Sequence, residues 1–145
     1  MSAYLAPRPY DVLLVEDDPA DAVLIREALR DHAAARVVAR AEDGIAALEL
    51  LRDPTQRRPD LIVLDLNMPR MNGSEVLEVL KSDDELKLIP VVVLTTSSAP
   101  EDIRDAYQRH ANAYVTKPVS LDEFVETVRT IDAFFLETAA VVPET

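Results

Sequence analysis

Short apolar runs alternate with helix-period stretches from one end of the chain to the other, and few folds accept that alternation. Strand-like runs stand near residues 11–15, 36–39, 61–64, 91–94 and 113–116. Between them, Pro19 suits a first helical turn and Ala22, Ile25 and Leu29 follow at helical spacing. A second helix is expected from Ile45 to Leu51, stopping before Pro54, and a third from Ser74 to Ser82. A fourth is expected to begin after Pro100. The fifth opens on Ser120 and Glu123, at capping-box spacing, and carries Leu121, Phe124, Val128, Ile131 and Phe135 as one apolar stripe. Five βα units in order predict an α/β fold, a parallel sheet with helices on both faces. The predicted domain spans 10–137, with 1–9 and 138–145 as tails and no effector domain attached.

Composition narrows the function classes. Of 145 residues, 48% are hydrophobic and 29% charged, the balance of a globular domain. The net charge of −12, with 15 scattered Lys and Arg, argues against binding nucleic acid. No run approaches the roughly 18 apolar residues of a membrane span, and the N-terminus lacks the pattern of a signal peptide. A cytoplasmic location with no membrane partner is the expectation. Cysteine is absent, which removes disulfides, thiolate metal sites and a Cys nucleophile.

The ends of the strands carry the chemistry. Val12–Val15 runs into Glu16, Asp17 and Asp18, Leu61–Leu64 into Asp65, Val91–Leu94 into Thr95, and the fifth strand into Lys117 and Pro118. Open α/β sheets keep their ligand sites at this carboxyl edge. Three carboxylates gathered there would repel one another unless a cation neutralised them. Oxygen-only ligands suit Mg²⁺, with Mn²⁺ as the alternative. Such a cation, the Lys117 ammonium and the Thr95 hydroxyl would together suit a transferring phosphoryl group, and a carboxylate can be its nucleophile.

Four motifs at these spacings, LLVEDDP (13–19), LIVLDLNMPRMNG (61–73), PVVVLTTS (90–97) and YVTKP (114–118), give the chain a family resemblance. It resembles the receiver domains of two-component response regulators. The resemblance implies a flavodoxin-like (βα)5 doubly wound sheet with strand order 2-1-3-4-5. It implies that Asp65 is the phosphoacceptor, charged from the phosphohistidine of a sensor histidine kinase. Asp17, Asp65 and the Asn67 backbone carbonyl would bind the metal, with Glu16 acting beside them. Thr95 and Lys117 would hold phosphoryl oxygens, and Tyr114 would turn inward with Thr95 to change the α4-β5-α5 surface. Asn67 and Ser97 would tune the phosphoryl lifetime, and the Lys117–Pro118 peptide is expected to be cis. Glu16 for the commoner Asp, Asn72 before the glycine and the bulky Thr96 are mild departures.

Details from Pro90 to Pro118 and the closing IDAFFLE helix are similar to the single-domain regulators of bacterial phytochromes, which makes a bacteriophytochrome kinase the expected partner. Phe134 and Leu136 fall off the stripe of the fifth helix, so both are expected to be exposed and available for homodimerisation. Asp18 is expected to cap a helix, Gly73 to adopt a positive φ, and His32 and His110 to be surface residues. Two competing readings are a Mg²⁺-dependent phosphotransferase acting on small molecules and an unphosphorylated scaffold. Asn67, where phosphohydrolases with an Asp nucleophile carry a second acid, disfavours the first. The intact set of Asp65, Lys117 and acidic partners disfavours the second.

Overall fold

In the computed structural model, residues 10–30 and 36–143 are described. His32 and the segment 1–9 lie outside them. The strands are β1 (Tyr10–Val15), β2 (Arg36–Ala41), β3 (Leu61–Leu64), β4 (Val91–Thr95) and β5 (Ala113–Thr116). The helices are α1 (Pro19–Arg30), α2 (Gly44–Arg52), α3 (Gly73–Ser82), α4 (Pro100–Gln108) and α5 (Leu121–Asp132). All strand pairings are parallel, in the order β2-β1-β3-β4-β5, which is the flavodoxin-like arrangement.

Both faces of the sheet are covered, so strand residues are apolar on both. Leu13, Val15, Ile62, Leu64, Val91 and Val93 pack with Val76, Leu77 and Leu80 of α3 and Ala47 and Leu48 of α2. The intervening Val12, Leu14, Leu61, Val63, Val92 and Leu94 meet Ile25 and Leu29 of α1 and Phe124, Val128 and Ile131 of α5. This two-residue alternation follows from the pleat of the strand.

Helix starts follow the local chemistry. Asp18 accepts from Ala20 N at 2.9 Å and so caps α1, as its sequence position suggests. Pro100 is itself the first residue of α4, where a missing N–H costs nothing. Ser120 accepts from Glu123 N at 3.4 Å. A full reciprocal capping box joins Asn72 and Glu75 at the head of α3.

Three expectations are corrected. No described glycine has a positive φ; the left-handed residues are Arg70 (64°) and His110 (70°). Gly73 is needed for another reason: a Cβ there would collide with the Asp65 carbonyl and the Leu66 Cα. Leu121, on the first turn of α5, is 59% exposed and does not join the stripe. Leu136 is 1% exposed, whereas Phe134, at 53%, is open as expected. The reason is a π-helical turn over Ala133–Thr138, closed by Ala139 N donating to Phe134 O at 2.6 Å. The wider turn shifts the phase of the helix and carries Leu136 into the core.

A buried ion pair fixes the end of α5. Arg36 Nε and Nη2 donate to the two Asp132 carboxylate oxygens at 2.7 and 3.0 Å, and both side chains are fully buried. Nη2 also reaches Glu137 at 3.2 Å, and the guanidinium lies 5.2 Å from the centre of the Tyr10 ring. Removing Asp132 takes the bidentate, fully buried partner away from a buried guanidinium. Asp132→Ala should therefore lower the unfolding free energy by about 3–5 kcal/mol in urea titrations, and the double replacement Arg36→Met, Asp132→Leu should recover most of it.

Candidate functional site

The backbone ladders deliver the polar residues to one edge. Just past the strand ends, Glu16 N donates to Ala41 O at 3.0 Å, Asp65 N to Val15 O at 3.0 Å and Lys117 N to Thr95 O at 2.7 Å. Glu16, Asp65, Thr95 and Lys117 are thereby buried at neighbouring strand ends. Glu16, exposed Asp17 and Asp65 each offer a carboxylate oxygen, and the three atoms lie within 4.8 Å of one another. Such an all-oxygen, triply acidic donor set fits a hard divalent cation.

Lys117 sits against this cluster. Its Nζ donates to Glu16 Oε1 at 2.7 Å and to Asp21 Oδ2 at 2.8 Å, and lies 3.7 Å from Asp65 Oδ2. Burial pushes the Glu16 carboxyl up to about 7; the neighbouring Asp65 charge adds to the rise, and the Lys117 hydrogen bond opposes it. Burial alone would lower the Lys117 ammonium, but hydrogen bonds to Asp21 and Glu16 outweigh it and leave the group above its ordinary value. Lys117 reaches the cluster through a trans peptide to Pro118, since no described peptide is cis. The expected cis bond is thus corrected: the lower-energy trans isomer already allows both contacts.

The remaining residues fall around this centre. The Thr95 hydroxyl is buried with no hydrogen-bond partner, an uncommon and costly state that a ligand oxygen would relieve. The Asn67 N–H faces Asp65 Oδ1 at 3.5 Å, a weak contact at best. Ser97 Oγ is tied to Asp102 Oδ2 at 2.5 Å, and the half-buried Tyr114 donates its hydroxyl to Ser97 O at 2.9 Å. Asp18 does not belong to the cluster, although its N–H donates to Glu16 Oε2 at 3.2 Å.

Sequence reasoning missed two contributors. Asp21, on the first turn of α1, is the second anchor of Lys117; its place one turn beyond the Glu16-Asp17 run was the available signal. Arg70 was invisible, because nothing local marks its pairing with Asp43 at the head of α2, at 2.8 and 3.0 Å. This pair and Gly44 N donating to Met71 O at 3.1 Å fasten the loop that follows Asp65.

The sequence pattern of the response regulator receiver domain matches residues 12–129. The response regulator Rcp1 of Synechocystis sp. is 41% identical over 134 residues, covering 90% of this chain and 91% of that protein. The crystal structure of the phosphorylated cyanobacterial phytochrome response regulator RcpA superposes with a TM-score of 0.92 at 42% identity, covering 94% of this chain and all of that one. The Mn²⁺-bound form of Rcp1 superposes with a TM-score of 0.89 at 40% identity, covering 93% and 100% of the two chains.

The raised Glu16 carboxyl has a thermodynamic signature. Folded Glu16 keeps its proton up to about 7, whereas the unfolded side chain loses it near 4.5, so in this window the folded state binds more protons. Raising the pH through the window therefore destabilises the metal-free protein. Urea unfolding in a chelator at about pH 5 and pH 8 should show stability falling as pH rises, and Glu16→Gln should flatten that slope.

Proposed function

The chain belongs to the response regulator receiver family, and on that premise we propose that it is a phosphorylation-controlled switch whose acceptor is Asp65. The observation that carries the reading is the meeting of Glu16, Asp17 and Asp65 with a buried lysine at one sheet edge. In the proposed reaction one Asp65 carboxylate oxygen attacks the phosphorus of a phosphohistidine. The P–N bond breaks, its electron pair returns to the imidazole, and Asp65 is left as an acyl phosphate. Lys117 compensates charge on the phosphoryl oxygens, and Thr95 gives one of them its unused hydroxyl proton as a hydrogen bond. Mg²⁺, or Mn²⁺ in its place, held by Asp17, Asp65 and the Asn67 carbonyl with Glu16 beside them, would supply positive charge against both the carboxylates and the phosphoryl group. The chain would catalyse only its own phosphorylation and dephosphorylation.

The output is a local charge event biasing a two-state packing. As Thr95 moves toward the phosphoryl group, Tyr114, which packs against the core with its hydroxyl on the Ser97 carbonyl, shifts with it and alters the α4-β5-α5 surface. The likeness to phytochrome response regulators supports a histidine kinase of the bacteriophytochrome type as phosphodonor. A cytoplasmic setting goes with that partner, and no helix among the described residues is long and apolar enough to cross a membrane. Phe134 is the apolar side chain on offer for self-association near the end of the fifth helix.

Incubation with a phosphorylated sensor kinase tests the reading. Asp65→Asn should abolish labelling, and undiminished labelling of that variant would overturn the assignment. Thr95→Ala should still take label, but the NMR signals of Tyr114 should no longer shift on phosphorylation. Substitutions at Asn67 and Ser97 should change the rate at which label is lost. Unchanged rates in both would remove them from the lifetime role.

A further inference from the structure

The two acids that hold Lys117 do different work. A lysine ammonium has three N–H donors. One is spent on Glu16 Oε1 at 2.7 Å and a second on Asp21 Oδ2 at 2.8 Å. The third is left for the side on which Asp65 Oδ2 stands at 3.7 Å, too far for a hydrogen bond to the bare carboxylate. Glu16 belongs to the acid cluster that fits a cation, so its carboxylate is shared. Asp21 lies outside that cluster, on the first turn of α1, and its side chain is 25% exposed against 5% for Lys117. A four-carbon stem held at one point still swings. Two acceptors carried by different segments fix both the place of the ammonium and its rotation.

We propose that Asp21 is a positioning residue for Lys117. By accepting one N–H it aims the free one at the phosphoryl group on Asp65, and it acts as a hydrogen-bond acceptor rather than as a charge. The proposal rests on the phosphoacceptor reading of the site given above. Asp21 itself touches neither the phosphoryl group nor the cation, and its effect passes wholly through Lys117.

The charge and the acceptor can be separated by two variants of the full chain. Asp21→Ala removes both, whereas Asp21→Asn keeps a carbonyl acceptor without the charge. Beryllofluoride, a mimic of the bound phosphoryl group, is titrated into each variant at its own saturating Mg²⁺, so that any loss of cation affinity common to both is set aside. Asp21→Ala should bind the mimic about tenfold more weakly than the unmodified chain, the scale of one charge-assisted hydrogen bond. Asp21→Asn should recover most of that affinity. Both variants should still unfold cooperatively and reversibly without Mg²⁺, so a general loss of structure cannot imitate the pattern. Wild-type affinity in Asp21→Ala would overturn the proposal, and so would equal losses in both variants, since charge alone would then account for the effect. If the unmodified chain takes no beryllofluoride at all, the phosphoacceptor reading fails first, an outcome distinct from either.

Discussion

The contact between Lys117 and Glu16 joins the carboxyl ends of strands that never touch. β1 and β5 are separated by β3 and β4, yet the residues just past them meet at 2.7 Å in a buried ion pair. Burying two charges is costly, and their attraction offsets the cost only when the remaining donors and acceptors are also used. Asp21 accepts from the lysine and the Asp18 N–H serves the far oxygen of Glu16, so the pair is well supplied. The site is nevertheless left short of positive charge: one ammonium stands against Glu16, Asp17, Asp21 and Asp65. That imbalance is what makes a divalent cation welcome there.

The loop after β3 is held as firmly as the strand before it. Gly73 brings the start of α3 so close to the backbone of Asp65 and Leu66 that no side chain fits, and its N–H donates to Leu66 O at 2.9 Å. Arg70, in the left-handed region, extends to Asp43, which at the same time caps α2 through Ala46 N. A non-glycine residue keeps such a backbone only where its surroundings determine it. The result is a carboxylate whose immediate neighbours are fastened to α2 and α3. The loop after β4 is tied through one residue: the Ser97 hydroxyl donates to Asp102 and the Ser97 carbonyl accepts from Tyr114.

At the opposite end of the sheet, Arg36 and Asp132 tie the close of α5 to the beginning of β2. The π-helical turn that follows turns Leu136 inward and leaves Phe134 facing out, with its ring edge-on to Phe135 at 5.1 Å. The last helix is thereby anchored internally, and the surface it offers to other molecules is set by a change of helical pitch.

The strands, the helices and their order were legible in the sequence because each depends on local periodicity, and two-sided burial makes strands such as Leu61–Leu64 unmistakably apolar. The gathering of Glu16, Asp17, Asp65 and Lys117 was legible as well, because in a parallel sheet every strand delivers its next residue to the same edge. What sequence could not give were features that depend on distance across the fold. Gly73 is required by the approach of α3 to β3 rather than by its own dihedrals, and Leu136 is buried by a phase change that strict 3.6-residue spacing hides. Arg70 finds Asp43 across 27 positions, and Lys117 finds Asp21 across 96. Sequence thus determined which groups reach the edge of the sheet, since that follows from chain direction. Only the tertiary structure decided which of them bond to one another, since a hydrogen bond is settled over tenths of an ångström that no spacing rule resolves.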